Sequence, residues 1–385
     1  MQDIVKVFRA RWMVTAEGVV ADGWLLVEGN TITAVGRGAA PAVAVEIAVE
    51  QADWLLPGFV DLHVHGGGGA AFTTGREADA RAAAAFHARH GTTTLLASLV
   101  TAPNADLVAA CRALVPLVAD GTIAGIHLEG PYLSHAHCGA QDPRFLRDPD
   151  LDELDQLIEA AEGTIRQITV APELPGAIEL IRAAVARGII AAIGHTNATY
   201  AETIAGIEAG ATLATHLCNG MPVLHHREAG PVLALLDDER VTLEIINDEV
   251  HVHPALVRRL LAAAGPRRVA LITDAIAAAG EADGTYRLGS REVIVGDGAA
   301  RLAVGGNLAG SVLTMDVAVA NAARRGTAMT AVVKAASTNP ARVLGFADRG
   351  AIAVGMRADL VMLDDALVVT GVMRAGSLLP SGLGC

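Results

Sequence analysis

The chain reads as an α/β protein, a (β/α)8 TIM-type barrel joined to a small β-sandwich domain built from both chain ends. Three observations predict this. Eight short apolar runs alternate with Ala-rich or Leu-rich helical stretches, five of those runs end in a side chain able to bind a divalent cation, and the two ends of the chain share a β-like texture with no amphipathic helix.

Taken in order, the strand candidates are residues 54–65, 91–100, 122–130, 166–173, 189–196, 211–219, 240–252 and 268–275. Each is continuously apolar, as expected of strands buried on both faces of a parallel sheet. Between them lie helical stretches such as ADARAAAAFHARH, NADLVAACRALVPLVAD, LPGAIELIRAAVARG and HPALVRRLLAAAG. The barrel is expected over 56–345. Residues 1–55 and 346–385, with segments such as WLLVEGNTITAVGRG and GAIAVGMRADLVMLDDALVVTGVMRAG, are expected to pair into the sandwich. Residues 281–310, rich in turn dipeptides and β-type alternation, read as a β-hairpin inserted after the eighth strand.

Length and composition fit this division. At 385 residues the chain suits one large domain and one small one, and its 52% hydrophobic content contains no apolar run of the roughly 18 residues a membrane span needs. The start, MQDIVKVFRARWMV, lacks the features of a secretory signal, so a cytoplasmic protein is expected. Cys111, Cys138, Cys218 and Cys385 stand at wide spacings without a C-x-x-C pair, which points to free thiols rather than disulfides or a thiolate zinc site. A formal charge of −13 disfavours nucleic acid as a partner.

The chemistry gathers where a barrel keeps its active site, at the carboxyl ends of the strands. His63 and His65 close LLPGFVDLHVH, Glu129 closes TIAGIHLEG, His195 closes IIAAIGHT, His216 closes ATLATHLCN and Asp274 closes RVALITDA. One residue apart on the first strand, His63 and His65 project to the same face by period-two alternation, which makes half a metal site. Imidazole and carboxylate suit Zn²⁺, Fe²⁺ or Mn²⁺, so the chain reads as a metal-dependent hydrolase. The chain has two lysines, Lys6 and Lys334, and neither can supply a carboxylated lysine to a barrel strand; Glu129 is the available bridging carboxylate. His127, two residues before Glu129, shares its face on alternation and is left between core packing and support of the site.

Several segments together carry a resemblance over essentially the whole chain: PGFVDLHVHGGGGAAF, GIHLEGPYLS, IGHTNA, THLCNGMPVLHHREAG, NDEVHVHP, LITDAIAAAG, GGNLAGSVLTMD and NPARVLGFADRGAIAVGMRADLVMLD. The chain resembles the N-acetylglucosamine-6-phosphate deacetylases of the amidohydrolase superfamily. The resemblance implies a main metal on Glu129, His195 and His216, a second on His63 and His65, and Asp274 as metal ligand and general base and acid for attack by a cation-activated water. It implies one or two divalent ions per subunit, zinc foremost. Substrate contacts are implied at Ala140, Gln141, Asn219, Gly220, His251 and Leu308. Arg227 is implied to reach a sugar phosphate from the neighbouring subunit of a homodimer. Gln141 stands where many relatives carry a histidine that polarises the acetyl carbonyl; its replacement leaves more of that task to the metals, or to His135 or His137. A deacetylase for the galactosamine epimer and a purine-type deaminase are the competing enzyme readings. A metal-binding scaffold without activity is the non-enzyme one.

Overall fold

A computed structural model describes residues 5–41, 45–46 and 52–380. Eight strands follow one another around a sheet in chain order: β1 (Phe59–Asp61), β2 (Thr92–Val100), β3 (Gly125–Glu129), β4 (Ile165–Val170), β5 (Ile190–Ile193), β6 (Leu213–Ala214), β7 (Thr242–Ile246) and β8 (Val269–Ile272). Neighbours from β2 to β8 pair in parallel. Just beyond the strand ends, the Asp274 amide donates to the His63 carbonyl at 2.8 Å and the His65 amide to the Ala275 carbonyl at 2.8 Å. Those bonds join the first strand's exit to the last strand's exit and close the ring.

Each strand is followed by a helix: α1 (Glu77–Arg89), α2 (Asn104–Ala119), α3 (Leu151–Ala160), α4 (Ala177–Ala186), α5 (Tyr200–Glu208), α6 (Gly230–Asp237), α7 (Pro254–Ala264) and α8 (Met315–Arg324). Their sequences explain them. In α4 the buried residues Ala177, Leu180, Ile181 and Ala184 fall three and four apart, one stripe of a helix. Asp150 caps α3 by accepting from the amides of Asp152 and Glu153, and Thr199 with Glu202 forms a capping box on α5. His253 caps α7 directly before Pro254 at the first helical position.

The expected first strand, 54–65, is two. Ala52–Pro57 belongs to the other sheet, antiparallel to Leu360–Leu363, and only Phe59–Asp61 joins the barrel. Proline has no amide with which to extend a ladder, and a Cβ at Gly58 would meet Thr93 Oγ1 at 2.2 Å, so the chain changes sheets at Pro57–Gly58. This corrects the strand-borne spacing of the two histidines: His63 and His65 lie in irregular backbone after β1.

Both chain ends do meet in one sheet, ordered 377–378, 369–374, 360–363, 52–57, 6–14, 19–28, 31–37, with 45–46 alongside 6–14. Its eight strands are joined by hydrogen bonds into one continuous sheet. Phe8, Met13, Leu25, Ile32, Leu55, Leu360 and Met362 form its core. The chain divides into two compact units: residues up to 61 with 87–94 and from 315 onward, and residues 62–86 with 95–314. In this grouping α8 goes with the chain-end unit. The inserted segment has three antiparallel strands, Gly284–Leu288, Arg291–Gly296 and Ala299–Leu302, one more than a hairpin. Asp297 and Gly298, both at positive φ, turn the last pair. Among the described residues no helix is long and apolar enough to cross a membrane. Cys385 lies outside the described residues.

Asp150→Ala removes the cap of α3 and should lower stability by about 1 kcal/mol in denaturant unfolding, with Asp150→Asn recovering most of it.

Candidate metal centre

Three of the side chains at the barrel mouth stand on backbone that ordinary residues avoid. His195, His216 and Asp274 have φ of 47°, 30° and 50°. Each stands two residues beyond the end of its strand, and the left-handed turn redirects a side chain that would otherwise continue along the barrel wall. Such conformations cost on the order of 1–3 kcal/mol each and persist where surrounding bonds overdetermine them. Here the closure bonds hold Asp274. The amide of Thr196 donates to the Gly220 carbonyl at 3.0 Å, and that of Leu217 to the Glu244 carbonyl at 2.8 Å, which hold the other two.

The Glu129 carboxylate is the centre of the cluster. Its Oε1 lies 3.0 Å from Nε2 of both His195 and His216 and 3.4 Å from Nε2 of His63. Its Oε2 lies 3.1 Å from His65 Nε2. Asp274 Oδ1 stands 3.3 Å and 3.5 Å from Nε2 of His65 and His63. The imidazoles meet in pairs, His63 with His65 and His195 with His216, each at 3.1 Å between Nε2 atoms.

These groups fit a divalent cation. Nδ1 of His63 faces Glu244 Oε2 at 3.4 Å, that of His65 the Ser98 carbonyl at 3.1 Å, and that of His195 the His137 carbonyl at 2.9 Å. Acceptors on Nδ1 place the proton there and turn the Nε2 lone pairs inward, the tautomer that ligates metal. Lone pairs and carboxylates converging in a dry site need a cation or protons between them. The donor atoms of His63, His65 and Asp274, and of His63, Glu129 and His216, lie within 4.8 Å of one another. His216 Nδ1 is buried with no hydrogen-bond partner among the described residues.

Without metal, protons take that role. Burial works against a charged His63, but Glu129 and Asp274 outweigh it and raise the imidazole well above its usual value. His65 is pushed up to about 9 by Asp274 and Glu129 against the same burial. Burial also opposes ionised Glu129 and Asp274; the surrounding imidazoles, His63 foremost, overcome it and hold both below the carboxylate range. His127 goes the other way. Burial, then the charge on His63, drives it well below its ordinary value, and it sits neutral between Ser98 Oγ and Thr169 Oγ1, 2.9 Å from each.

The cluster opens into a cavity of about 230 Å³. Ala140, Gln141, Asn219, Gly220, His251 and Leu308 all line it, as do Leu288 and Asn307 from the inserted segment. Arg227 does not: it is exposed, its Nη1 2.8 Å from His226 Nε2. A larger cavity, about 730 Å³, is lined by Thr73, Arg76, Phe145 and Arg287 and contains none of the clustered imidazoles. Gln141 does not stand free as placed: one N–H of its Nε2 donates to Glu129 Oε2 at 2.6 Å, and its Oε1 accepts from the Thr101 amide at 2.8 Å. Nor does a neighbouring imidazole replace it. His135 is exposed, and His137 turns its ring to Asn197 and offers only its carbonyl to His195. Sequence reading passed over Glu244, fully buried on β7 against His63 and Gln167, although a lone carboxylate inside the apolar run VTLEII was the visible signal.

Two glycines make room for His195. A Cβ at Gly220 would lie 2.8 Å from its Nδ1, and one at Gly139 3.0 Å from its Cε1; both glycines have φ near 60°. No other residue meets both demands without strain.

A parallel barrel with imidazoles and carboxylates gathered at its carboxyl mouth defines a barrel hydrolase that could work with a divalent metal. The match to the amidohydrolase family extends over residues 54–379, and the chain belongs to that family. Within it, an N-acetylgalactosamine-6-phosphate deacetylase of Escherichia coli O157:H7 is 37% identical over 97% of this chain and 98% of its own. An N-acetylglucosamine-6-phosphate deacetylase of Bacillus subtilis is 33% identical over 94% of both. The structure of the Mycobacterium smegmatis N-acetyl-D-glucosamine-6-phosphate deacetylase, as a mutant in complex with N-acetyl-D-glucosamine-6-phosphate, is 45% identical, with a TM-score of 0.94 over 98% of this chain and 99% of that one.

Gly220→Ala should displace His195 and lower the divalent metal retained after dialysis, measured by elemental analysis, while the far-ultraviolet spectrum is unchanged. Thiol labelling gives a second check. Burial pushes Cys111 up to about 12 and Cys218 up to about 11. Among the described cysteines, a thiol reagent at about pH 8 should therefore modify half-buried Cys138 first and Cys111 only after unfolding, as read by peptide mass spectrometry.

Proposed function

We propose that the chain is a metal-dependent N-acetylglucosamine-6-phosphate deacetylase that releases acetate and glucosamine-6-phosphate. The observation that carries this reading is the Glu129-centred cluster beside a cavity large enough for an amino sugar, in a chain 45% identical over nearly its full length to an enzyme of that name. A divalent cation, zinc foremost with iron or manganese suited to the same donors, supplies Lewis-acid polarisation of the amide carbonyl and lowers the pKa of water towards ~7.

Glu129, His195 and His216 are the main ligands in this reading, and His63, His65 and Asp274 complete a second position. Asp274 is also the proton carrier. Its ionised carboxylate takes a proton from the attacking water and delivers it to the departing amine, which must be protonated to leave. Gln141 steadies Glu129 from the side of His65. Asn219, Gly220, His251, Ala140 and Leu308 hold the sugar. Arg227, exposed in its own subunit, supplies a planar fork suited to phosphate in the neighbouring subunit of a homodimer. Free, unpaired thiols at the described cysteines accord with a cytoplasmic enzyme.

The galactosamine epimer is the second reading, favoured by the 37% identity to the Escherichia coli enzyme. Rates on the two N-acetylated 6-phosphates, compared side by side on metal-analysed protein, decide between them. Acetate release from neither would remove the proposal, and ammonia release would point to a deaminase.

Asp274→Asn should lower kcat by about 10²-fold or more; near-normal turnover would rule out a proton-carrying role. His195→Ala and His216→Ala should lose metal by elemental analysis. Arg227→Ala should raise KM for the phosphorylated sugar about tenfold, with little effect on the unphosphorylated one.

A further inference from the structure

The loop after β7 holds a charged side chain whose every hydrogen bond is made within its own turn. Asp248 Oδ1 accepts the amides of Val250 and His251, both at 2.8 Å. Its Oδ2 lies 2.6 Å from His251 Nδ1. The two side chains are 10% and 5% exposed, and Glu249 between them takes φ 66° to let the turn close. One carboxylate thus shapes the backbone of the loop and grips the imidazole it carries.

That grip decides which way the ring is protonated. Two backbone amides donate to Oδ1, an arrangement that suits the ionised, acceptor-only carboxylate of Asp248. An ionised carboxylate can only accept, so the proton shared with His251 resides on Nδ1. The opposite edge of the ring, Nε2, is left to the cavity that His251 lines with Glu129 and Asp274. Those two carboxylates already face the clustered imidazoles. Gln141 donates one amide N–H to Glu129, and Asn219 donates one to the His216 carbonyl. His251 Nε2 is an acceptor open to a ligand hydroxyl there.

We propose that Asp248 is a positioning residue: it locks His251 in the Nδ1–H form, so that Nε2 accepts a hydrogen bond from a hydroxyl of the sugar ring, and acts on substrate binding rather than on the hydrolytic step. This rests on the deacetylase reading above for the identity of the ligand. The arrangement itself does not.

Asp248→Asn is the informative change. Its amide oxygen can keep the turn, while its –NH2 faces Nδ1 and forces the imidazole proton onto Nε2, reversing the polarity of the ring at nearly constant shape. In the zinc-loaded enzyme, KM for N-acetylglucosamine-6-phosphate should rise about tenfold with kcat changed far less. Metal content should stay the same. In a His251→Ala background the same substitution should have no further effect on KM, because Asp248 acts through the ring. Nitrogen-15 spectra of histidine-labelled holoenzyme should show protonated Nδ1 and bare Nε2 at His251, exchanged in the variant. A protonated Nε2 in the unaltered protein, an unchanged KM in a metal-replete Asp248→Asn enzyme, or full additivity with His251→Ala each overturns the proposal. If Asp248→Asn does not fold, the spectrum of the unaltered enzyme decides. Should the unaltered enzyme release acetate from no acetylated amino-sugar phosphate, the deacetylase reading is what fails, and the nitrogen spectrum still judges the Asp248–His251 pair.

Discussion

One carboxylate organises the mouth of the barrel. Glu129 ends β3 and divides its two oxygens between two sets of partners, Oε1 for His195 and His216 and Oε2 for His65 and Gln141. A buried carboxylate is costly unless opposite charge surrounds it, and four imidazoles alone do so only when protonated. A divalent cation removes that conflict, because the inward nitrogens can then be neutral lone-pair donors. The site is therefore built around a charge that the side chains do not themselves provide.

Holding that arrangement falls to the backbone. The bonds from Asp274 to His63 and from His65 to Ala275 close the barrel at the same place where three candidate ligands enter, so the closure of the fold and the geometry of the site share hydrogen bonds. Three non-glycine residues at positive φ are tolerated there because each is flanked by main-chain bonds to a neighbouring strand end. Strain of this kind belongs to sites whose geometry is fixed before the ligand arrives.

Beneath the cluster the barrel interior is polar and connected. Ser98, His127, Thr169 and Thr215 form one chain of hydrogen bonds at 2.8–2.9 Å, and Gln167 donates to Glu244 at 3.0 Å, which in turn faces His63. Such a network can orient the imidazoles above it, although among the described residues Gln167 Oε1 and His216 Nδ1 are buried without a hydrogen-bond partner. From the side, the inserted sheet adds Leu288 to the cavity wall and ties Ser290 to Asp142 at 2.5 Å, beside Gln141.

The sequence by itself determined the strand order, the helices between, and the kinds of side chain at the strand ends, because period, apolar run length and residue chemistry are local properties. It marked the segments that line the cavity too, through motifs spread over the whole chain. Only the tertiary structure decided that the first expected strand breaks at Gly58, that His63 and His65 meet across irregular backbone and not along a strand, and that the helical stretch from 315 belongs with the terminal sheet. It alone aimed Gln141 at Glu129 and brought Glu244 under His63. The physical reason is the same in each case: partners 12 to 181 residues apart settle where a hydrogen bond goes, and nothing in the local pattern names the partner.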